Sequence, residues 1–368
     1  MKKISIKIKG EEKSYNLIIG KNILNILPKK INDLCSGTKN IVIFFDGNVS
    51  QVHLKKIKSS LKKYKLTIFK INPSEKFKNF NSVNYFLERI MSKNFNRSDL
   101  VIAIGGGIVG DLAGFVASVL KRGVHFINIP TTLLAQVDSS IGGKTGVNSR
   151  NGKNLIGSFH QPKLVISDIN FLNTLSKRQM ICGYAEILKH AIIKDIKFFK
   201  WLKLNSSFVL NKNKTKLIYA IKRSCEIKSE IVRRDANEKN LRMILNFGHT
   251  FAHAIETKNN YKKNINHGEA VLLGMEIATK FSLNRKICSI KTAEEVFEVF
   301  KINKLSSDLR KNFSKINLKS FINLMKKDKK NNDEKINLIL LKKIGMTTIP
   351  GTQKFKSTQI ETYLKKII

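Results

Sequence analysis

The run Val101-Ile-Ala-Ile-Gly-Gly-Gly-Ile-Val-Gly-Asp111 constrains the fold more than any other segment. Apolar residues 100–104 read as a buried strand, and residues 109–120 as an apolar helix. Three consecutive glycines join the two. Without side chains there, backbone amides can approach a phosphate closely, and the following helix N-terminus favours its negative charge. The spacing Gly105-x-Gly107-x-x-Gly110 matches the dinucleotide pattern, although the same spacing also serves plain strand–helix packing. No acidic residue ends a clean strand about twenty residues later, where the ordinary dinucleotide fold places one. A membrane span over 100–120 is disfavoured, because the glycines and Asp111 fall in its middle.

The rest of the first half alternates in the same way. Strand-like runs occur at 4–8, 15–19, 41–45, 66–71, 125–129 and 164–167, with helical stretches at 21–34, 49–63 and 82–92 between them. Such alternation predicts a mostly parallel sheet covered on both faces. Beyond residue 175 the period becomes helical, at 176–194, 216–232, 241–256 and 269–282, with strand-like pieces at 336–341 and 347–349. The sequence thus predicts an α/β domain over 1–175 and a helical domain over 176–368. Residues 329–335 read as a solvated loop. The N-terminus has no apolar core of a leader peptide, since Ile4, Ile6 and Ile8 alternate with polar residues.

Asn246-Phe-Gly-His249-Thr-Phe-Ala-His253-Ala-Ile-Glu256 is the most informative local segment. On one continuous helix, Asn246, His249, His253 and Glu256 would share a face. Apolar neighbours would bury that face, so the polar stripe needs partners. His267-Gly-Glu269 follows, just ahead of an apolar helix, and a helix N-terminus biases a histidine toward its neutral, metal-binding form. Glu186, in Ala185-Glu-Ile-Leu-Lys189-His190, lies in another apolar stretch and can offer a carboxylate oxygen. One carboxylate and two imidazoles suit a catalytic zinc. Each histidine alone is more often an ordinary hydrogen-bonded residue. Four of the seven histidines fall in or beside these segments, and that convergence favours a metal or active site.

The run from Pro130-Thr131-Thr132 through Asp138-Ser-Ser140 to Gly142-Gly-Lys144-Thr145-Gly-Val-Asn148 packs hydroxyls, an acid and a lysine among glycines. It follows a buried strand, and strand carboxyl ends are where open α/β sheets bind ligands. Gly152-Lys153-Asn154 comes next. The net charge of +41 could signal nucleic acid. However, the lysines are spread along the whole chain with no aromatic interleaving, so compositional bias explains it better, and neither nucleic acid nor membrane is expected as a partner. Four scattered cysteines, none in a CxxC, fit a reducing cytoplasm.

Together these segments resemble the 3-dehydroquinate synthase family over essentially the full length. The runs Gly105 to Asp111, Pro130 to Ser140, Gly142 to Thr145, Gly152 to Asn154, Ala185 to Lys189, Asn246 to His253, and His267-Gly-Glu-Ala270 look like its signatures in its order. The resemblance implies an NAD-binding domain, a helical domain and an active site in the cleft between them. It implies zinc or cobalt held by Glu186, His249 and His267, with His253 a substrate contact. NAD would contact Gly107, Ile108, Val109, Gly110, Asp111, Thr131, Thr132, Lys144, Lys153, Phe171, Leu172, Asn173 and Thr174, with Asp46 on the adenosine side. Lys144, Asn154, Asn246, His253 and Lys330 would surround the substrate phosphate. Lys228 and Arg242 would hold its carboxylate, and Asp138 and Lys189 would contact hydroxyls. Arg122 would reach a neighbouring subunit of a homodimer. Glu75 and Lys78 match a further NAD-contacting turn, but Pro73 and Ser74 stand where the family usually has Asp-Gly. The implied activity converts 3-deoxy-D-arabino-heptulosonate 7-phosphate, a sugar-acid phosphate, to 3-dehydroquinate and phosphate. The rivals are a metal-dependent alcohol or glycerol dehydrogenase, a sibling sugar-phosphate cyclase, and a non-catalytic nucleic-acid-binding protein.

Overall fold

The computed structural model spans Met1–Ile368 and describes residues 4–9, 14–236, 238–258, 265–305, 317–326 and 335–367. The chain forms two compact units, Met1–Met180 with Leu217–Ser229, and Ile181–Lys216 with Glu230–Ile368. No helix among the described residues is long and apolar enough to cross a membrane.

The first unit is built on strands β1 (Ile4–Lys9), β2 (Ser14–Gly20), β3 (Asn40–Asp46), β4 (Lys65–Ile71), β5 (Leu100–Gly105), β6 (His125–Pro130) and β9 (Leu164–Asp168). Their order is β1-β2-β9-β6-β5-β3-β4. Only β1 and β2 pair antiparallel; the remaining pairs are parallel. β5 is buried along its whole length, which is why it reads as an unbroken apolar run. The pleat divides the core in two. Ile41, Ile43, Phe45, Ile102 and Ile104 pack with Leu27 and Ile31 of α1 (Leu27–Leu34) and Ile57 of α2 (Gln51–Ser60). Val42, Phe44, Val101 and Ala103 pack with Val83, Phe86 and Ile90 of α3 (Phe80–Met91) and Leu112 and Val116 of α4 (Gly107–Val119). Each such buried side chain contributes about 1.5–3 kcal/mol.

The run from Pro130 to Asn148, with Gly152-Lys153-Asn154 after it, reads in the sequence as a ligand-binding loop. The structure instead holds a hairpin, β7 (Lys144–Ser149) with β8 (Gly152–Phe159). Gly146 and Gly157 face each other across it so closely that a Cβ on Gly157 would lie 2.2 Å from the Thr145 carbonyl oxygen. The glycines here serve strand approach, which a composition-based reading takes for flexibility.

The second unit is mainly helical. It contains most of α5 (Lys177–Lys194), then α6 (Ile196–Leu210), α8 (His249–Lys258), α9 (His267–Asn284), α10 (Ile290–Ile302), α11 (Leu318–Lys326) and α12 (Ser357–Ile367). α7 (Lys214–Arg234) gives its middle, Leu217–Ser229, to the first unit. Two small antiparallel pairs complete it: β10 (Lys335–Asn337) with β13 (Lys354–Lys356), and β11 (Leu341–Lys343) with β12 (Met346–Thr347). α9 is buried all round from Ala270 to Thr279, the mark of a central helix. α8 packs on it at glycine. A Cβ on Gly274 would sit 2.1 Å from the Gly248 carbonyl oxygen.

That contact corrects the expected helix over 241–256. The segment divides into a 3-10 turn, Leu241–Asn246, and α8, separated at Gly248 with φ +79°. Asn246 therefore does not share a helix with the histidines. The sequence reading also passed over α6, α10 and α12. α10 and α12 are short amphipathic helices with many surface lysines and glutamates, whereas α6 is apolar on much of its circumference. Residues 329–334 of the expected loop, and with them Lys330, lie outside the described residues; Lys335 opens β10.

Asp99 fixes the lower ends of the central strands. It accepts hydrogen bonds from the Lys39, Asn40 and Asn96 backbone N–H groups (2.9, 2.8 and 2.7 Å) and from the Asn40 side chain (2.8 Å). Burial opposes its charge, but these donors outweigh burial and hold the carboxyl below its ordinary value. A depressed folded value gives stability that is present above the unfolded carboxylate range and lost as pH falls through the folded value. Asp99→Asn is expected to cost about 2 kcal/mol at neutral pH. The difference from wild type should shrink on acidification, as read by urea unfolding across pH. A pH-independent difference would mean that the charge of Asp99 contributes nothing.

Candidate functional site

Glu186 sits two turns into the apolar part of α5 and is completely buried. The chain brings His249, first residue of α8, and His267, first residue of α9, to the same carboxylate. Glu186 Oε1 lies 3.6 Å from His249 Nε2 and 3.8 Å from His267 Nε2. The three ligand atoms lie within 4.8 Å of one another. Glu186 Oε2 pairs with Lys189 one turn on, itself buried, while Oε1 accepts no hydrogen bond among the described residues. An ionised carboxylate oxygen left unsatisfied in the interior is costly, and a cation between it and the two imidazoles removes that cost. The donor set also suits zinc, with room for substrate oxygens. The residues therefore fit a divalent metal.

The surrounding helices orient this cluster. Asn266 caps α9 by a reciprocal pair with Glu269, so His-Gly-Glu forms the first turn of the helix. Gly268 has no room for a side chain, since its Cβ would meet Cys182 Cα at 2.3 Å, and its N–H donates to Cys182 Sγ at 3.2 Å. His267 Nδ1 faces Glu256 Oε2 at 3.4 Å, leaving Nε2 for Glu186 and a metal. The helix N-terminus was expected to favour neutral His267. Burial does work that way, but the Glu256 hydrogen bond and the Glu256 and Glu186 charges outweigh it, and His267 is held above its ordinary value. His253 lies edge-on to His249, with ring centroids 5.5 Å apart. Buried Arg242 donates to the Ala236 carbonyl at 2.6 Å, and Asn246 donates to Glu238 at 2.9 Å.

In the first unit the glycine turn joins β5 to α4. A Cβ on Gly105 would lie 2.7 Å from Val109 Cβ and 3.0 Å from Asp46 Cβ, so strand, helix and Asp46 converge only around glycine. Gly106 caps α4 with no side-chain acceptor, leaving its first amides open to an anion. Ile108 and Val109 form the first turn with Gly107, and Gly110 abuts Asn128, whose Nδ2 would lie 3.2 Å from a Cβ there. Asp46 accepts from Asn48 N–H at 2.9 Å. Thr131 N–H donates to the Gly105 carbonyl at 2.9 Å, and Thr132 Oγ1 accepts from Ala135 N–H at 3.2 Å. Phe171, Leu172, Asn173 and Thr174 lie in one 3-10 turn capped by Asp168, with the Phe171 ring centroid 4.4 Å from that of His53.

A second group of charges lies beside this turn. Lys78, nearly fully buried, bridges Asp111 (2.5 Å) and Asn154 Oδ1 (2.6 Å). Lys153 pairs with Glu75 at 3.1 Å. In the turn at Pro73 and Ser74, Ser74 Oγ accepts from Phe77 N–H at 3.1 Å, and the Ser74 carbonyl accepts from Phe77 and Lys78 N–H. The serine thus forms the turn that presents Glu75 and Lys78. Lys228 reaches Asp138 at its carboxylate and its backbone carbonyl, both at 2.6 Å. Lys144 opens β7 and is exposed. Arg122 is exposed at a turn where it and Lys121 both have positive φ (62° and 50°), a conformation that non-glycine residues hold at a cost.

Two family models match the chain: 3-dehydroquinate synthase N-terminal over residues 68–182 and 3-dehydroquinate synthase C-terminal over residues 183–331. The chain is 47% identical over 363 residues to the 3-dehydroquinate synthase of Pelagibacter ubique, covering 99% of this chain and 98% of that one. The chain belongs to the 3-dehydroquinate synthase family. Among solved structures, the fold is similar to that of a 2-deoxy-scyllo-inosose synthase complexed with carbaglucose-6-phosphate, NAD+ and Co2+ (TM-score 0.86, 23% identity, covering 99% of this chain and 100% of that one). It is also similar to a 2-epi-5-epi-valiolone synthase from Streptomyces hygroscopicus subsp. jinggangensis with NAD+ and Zn2+ bound (TM-score 0.85, 25% identity, covering 98% of each chain).

The sequence reading did not assign a role to Asn148, and it noted Glu256 only as part of a polar stripe. Neither stands out in a list of residue types. Asn148 ends a glycine-rich run, and Glu256 meets His267 only after α8 and α9 have packed.

Glu186→Ala is expected to weaken zinc binding by more than about a hundredfold, beyond what outer contacts cost. Competition with a chromophoric chelator measures this, and unchanged affinity would remove Glu186 from the site. Because His267 is held above its ordinary value, protons compete with the metal. Zinc affinity of the wild type should fall as pH is lowered, starting above the ordinary histidine range; an affinity flat between about pH 5 and 8 would remove that competition.

Proposed function

We propose that the chain catalyses the 3-dehydroquinate synthase reaction, converting 3-deoxy-D-arabino-heptulosonate 7-phosphate to 3-dehydroquinate and phosphate as a carbon–oxygen lyase. The near-full-length identity to a 3-dehydroquinate synthase carries this reading. The buried carboxylate of Glu186, with an oxygen aimed at two imidazoles, supports it independently of sequence likeness.

In this proposal Glu186, His249 and His267 hold a zinc or cobalt ion, which when bound supplies Lewis acidity to the substrate's adjacent hydroxyl oxygens. NAD, when bound, would supply a hydride acceptor for the C5 alcohol. The open amides of α4 and residues Gly107, Ile108, Val109, Gly110 and Asp111 receive its pyrophosphate side, with Thr131, Thr132, Lys144 and Lys153 beside them. Asp46, Glu75, Lys78 and the turn Phe171, Leu172, Asn173 and Thr174 complete the cradle.

The chain's remaining residues bind and orient. The family resemblance assigns the phosphate, the leaving group, to Lys144, Asn154, Asn246, His253 and Lys330, the last outside the described residues. Lys228 and Arg242 hold the carboxylate, so the substrate enters in one direction. Asp138 and Lys189 take hydroxyls, and Lys189 pairs with Glu186 one turn away. Fixing both ends of a flexible sugar acid brings the carbons of the final aldol closure together, which is chiefly an entropic gain. Arg122, on its costly turn, reaches a second subunit of a homodimer, and the four buried free thiols suit the cytoplasm.

The test is phosphate release from the substrate with trace NAD, with and without a chelator. Chelator-sensitive release with no net NADH is expected. Stoichiometric NADH without phosphate would replace this reading with a dehydrogenase, and no release after metal reconstitution would point to a sibling cyclase substrate. His249→Ala should abolish metal-dependent turnover.

A further inference from the structure

Every polar group of Asn148 is engaged, and its partners are the residues assigned above to two different ligands. Its backbone N–H donates to the Lys78 carbonyl at 2.8 Å. Its side-chain amide donates to the Glu75 carbonyl at 3.0 Å and the Glu75 carboxylate at 2.8 Å. Its side-chain oxygen accepts from Asn154 N–H at 3.1 Å. A bridge between Asn79 and Asn148 ties the same turn to β7. Asn154 is held at φ +54°, a conformation it needs help to keep, and Lys78 grips its side-chain oxygen from the other side.

We infer that Asn148 is a positioning residue that sets Glu75 and Lys78, on the nucleotide side, in register with Asn154, on the substrate side. The inference rests on the function proposed above. The chemistry requires asparagine. One planar amide must present two donors in one direction and an acceptor in the other. Aspartate keeps the acceptor but places a second negative charge against Glu75. Serine is too short to span both partners, and glutamine is one methylene too long. The amide orientation is settled by its surroundings, because only the NH2 group can face the two Glu75 oxygens and only the oxygen can face an N–H.

The two arms predict a split that a general packing role would not produce. Asn148→Asp preserves the contact to Asn154 and breaks the one to Glu75. In metal-loaded protein it should raise the NAD dissociation constant roughly tenfold, the effect expected of one lost and one unfavourable buried polar contact, and leave the substrate KM within about twofold. Glu75→Gln in that background exchanges donor and acceptor, since the new amide donates to the new carboxylate. That restores the side-chain contact but not the bond to the Glu75 carbonyl, so the double variant should lose less NAD affinity than the two single losses added. Asn148→Ala loses both arms and should raise both constants.

NAD titration calorimetry, phosphate-release kinetics and melting temperature without NAD read these outcomes. An unchanged NAD constant in Asn148→Asp overturns the inference. So does a double variant that shows the two losses added, or a fall in melting temperature with equal loss of NAD and substrate binding. A wild-type protein that binds no NAD overturns the inference together with the proposed function. Normal wild-type behaviour with insensitive variants overturns the inference alone.

Discussion

Burying a carboxylate inside a helical unit is expensive, and the second unit is arranged around that cost at Glu186. Lys189 neutralises one oxygen from one turn away on the same helix. The other oxygen has no donor among the described residues and instead faces the Nε2 atoms of two histidines that begin separate helices. The start of α8 packs against the middle of α9 at Gly248 and Gly274, too close there for any side chain. Asn266 and Glu269 fix the first turn of α9, and Glu256 turns the His267 ring. The capping box, the two glycines and the outer carboxylate thus form one arrangement that aims three ligand atoms at one point.

The first unit meets a different constraint. Its central strand is buried on both faces, so chemistry is confined to the strand ends. At the carboxyl ends, glycines remove every obstacle between β5, α4 and Asp46, and an uncapped helix start offers amides to an anion. Lys153 with Glu75 ties the neighbouring turn to the hairpin, Lys78 with Asp111 ties that turn to α4, and Lys228 with Asp138 ties α7 to the segment before β7. The large excess of lysine does not disturb this, because most of it lies at exposed positions and these lysines each face an acid.

Much of the site was legible because its residue types converge. Glycines after an apolar strand, histidines at helical spacing and an acid in an apolar helix each have an ordinary packing explanation alone, and only their convergence points to a site. Asn246 was read less well. Spacing placed it on the histidine face, but spacing assumes an unbroken helix, and Gly248 at positive φ ends that assumption. The hairpin of β7 and β8 was read as a loop because its glycines permit close strand pairing as readily as they permit flexibility. His267 was expected to favour its neutral form from its helix position. The two carboxylates that reverse this come from α5 and the far end of α8.

The sequence by itself determined the alternating sheet, the glycine turn, the helical second half and the residue types available for a metal, because periodicity and composition are local properties. Only the tertiary structure decided which atoms meet. Glu256 reaches His267, Ser74 closes the turn before Lys78, and Asn148 joins Glu75 to Asn154 across 73 and 6 residues of chain respectively. Such contacts depend on backbone approach and on the direction of single hydrogen bonds, and no local pattern in the chain encodes either.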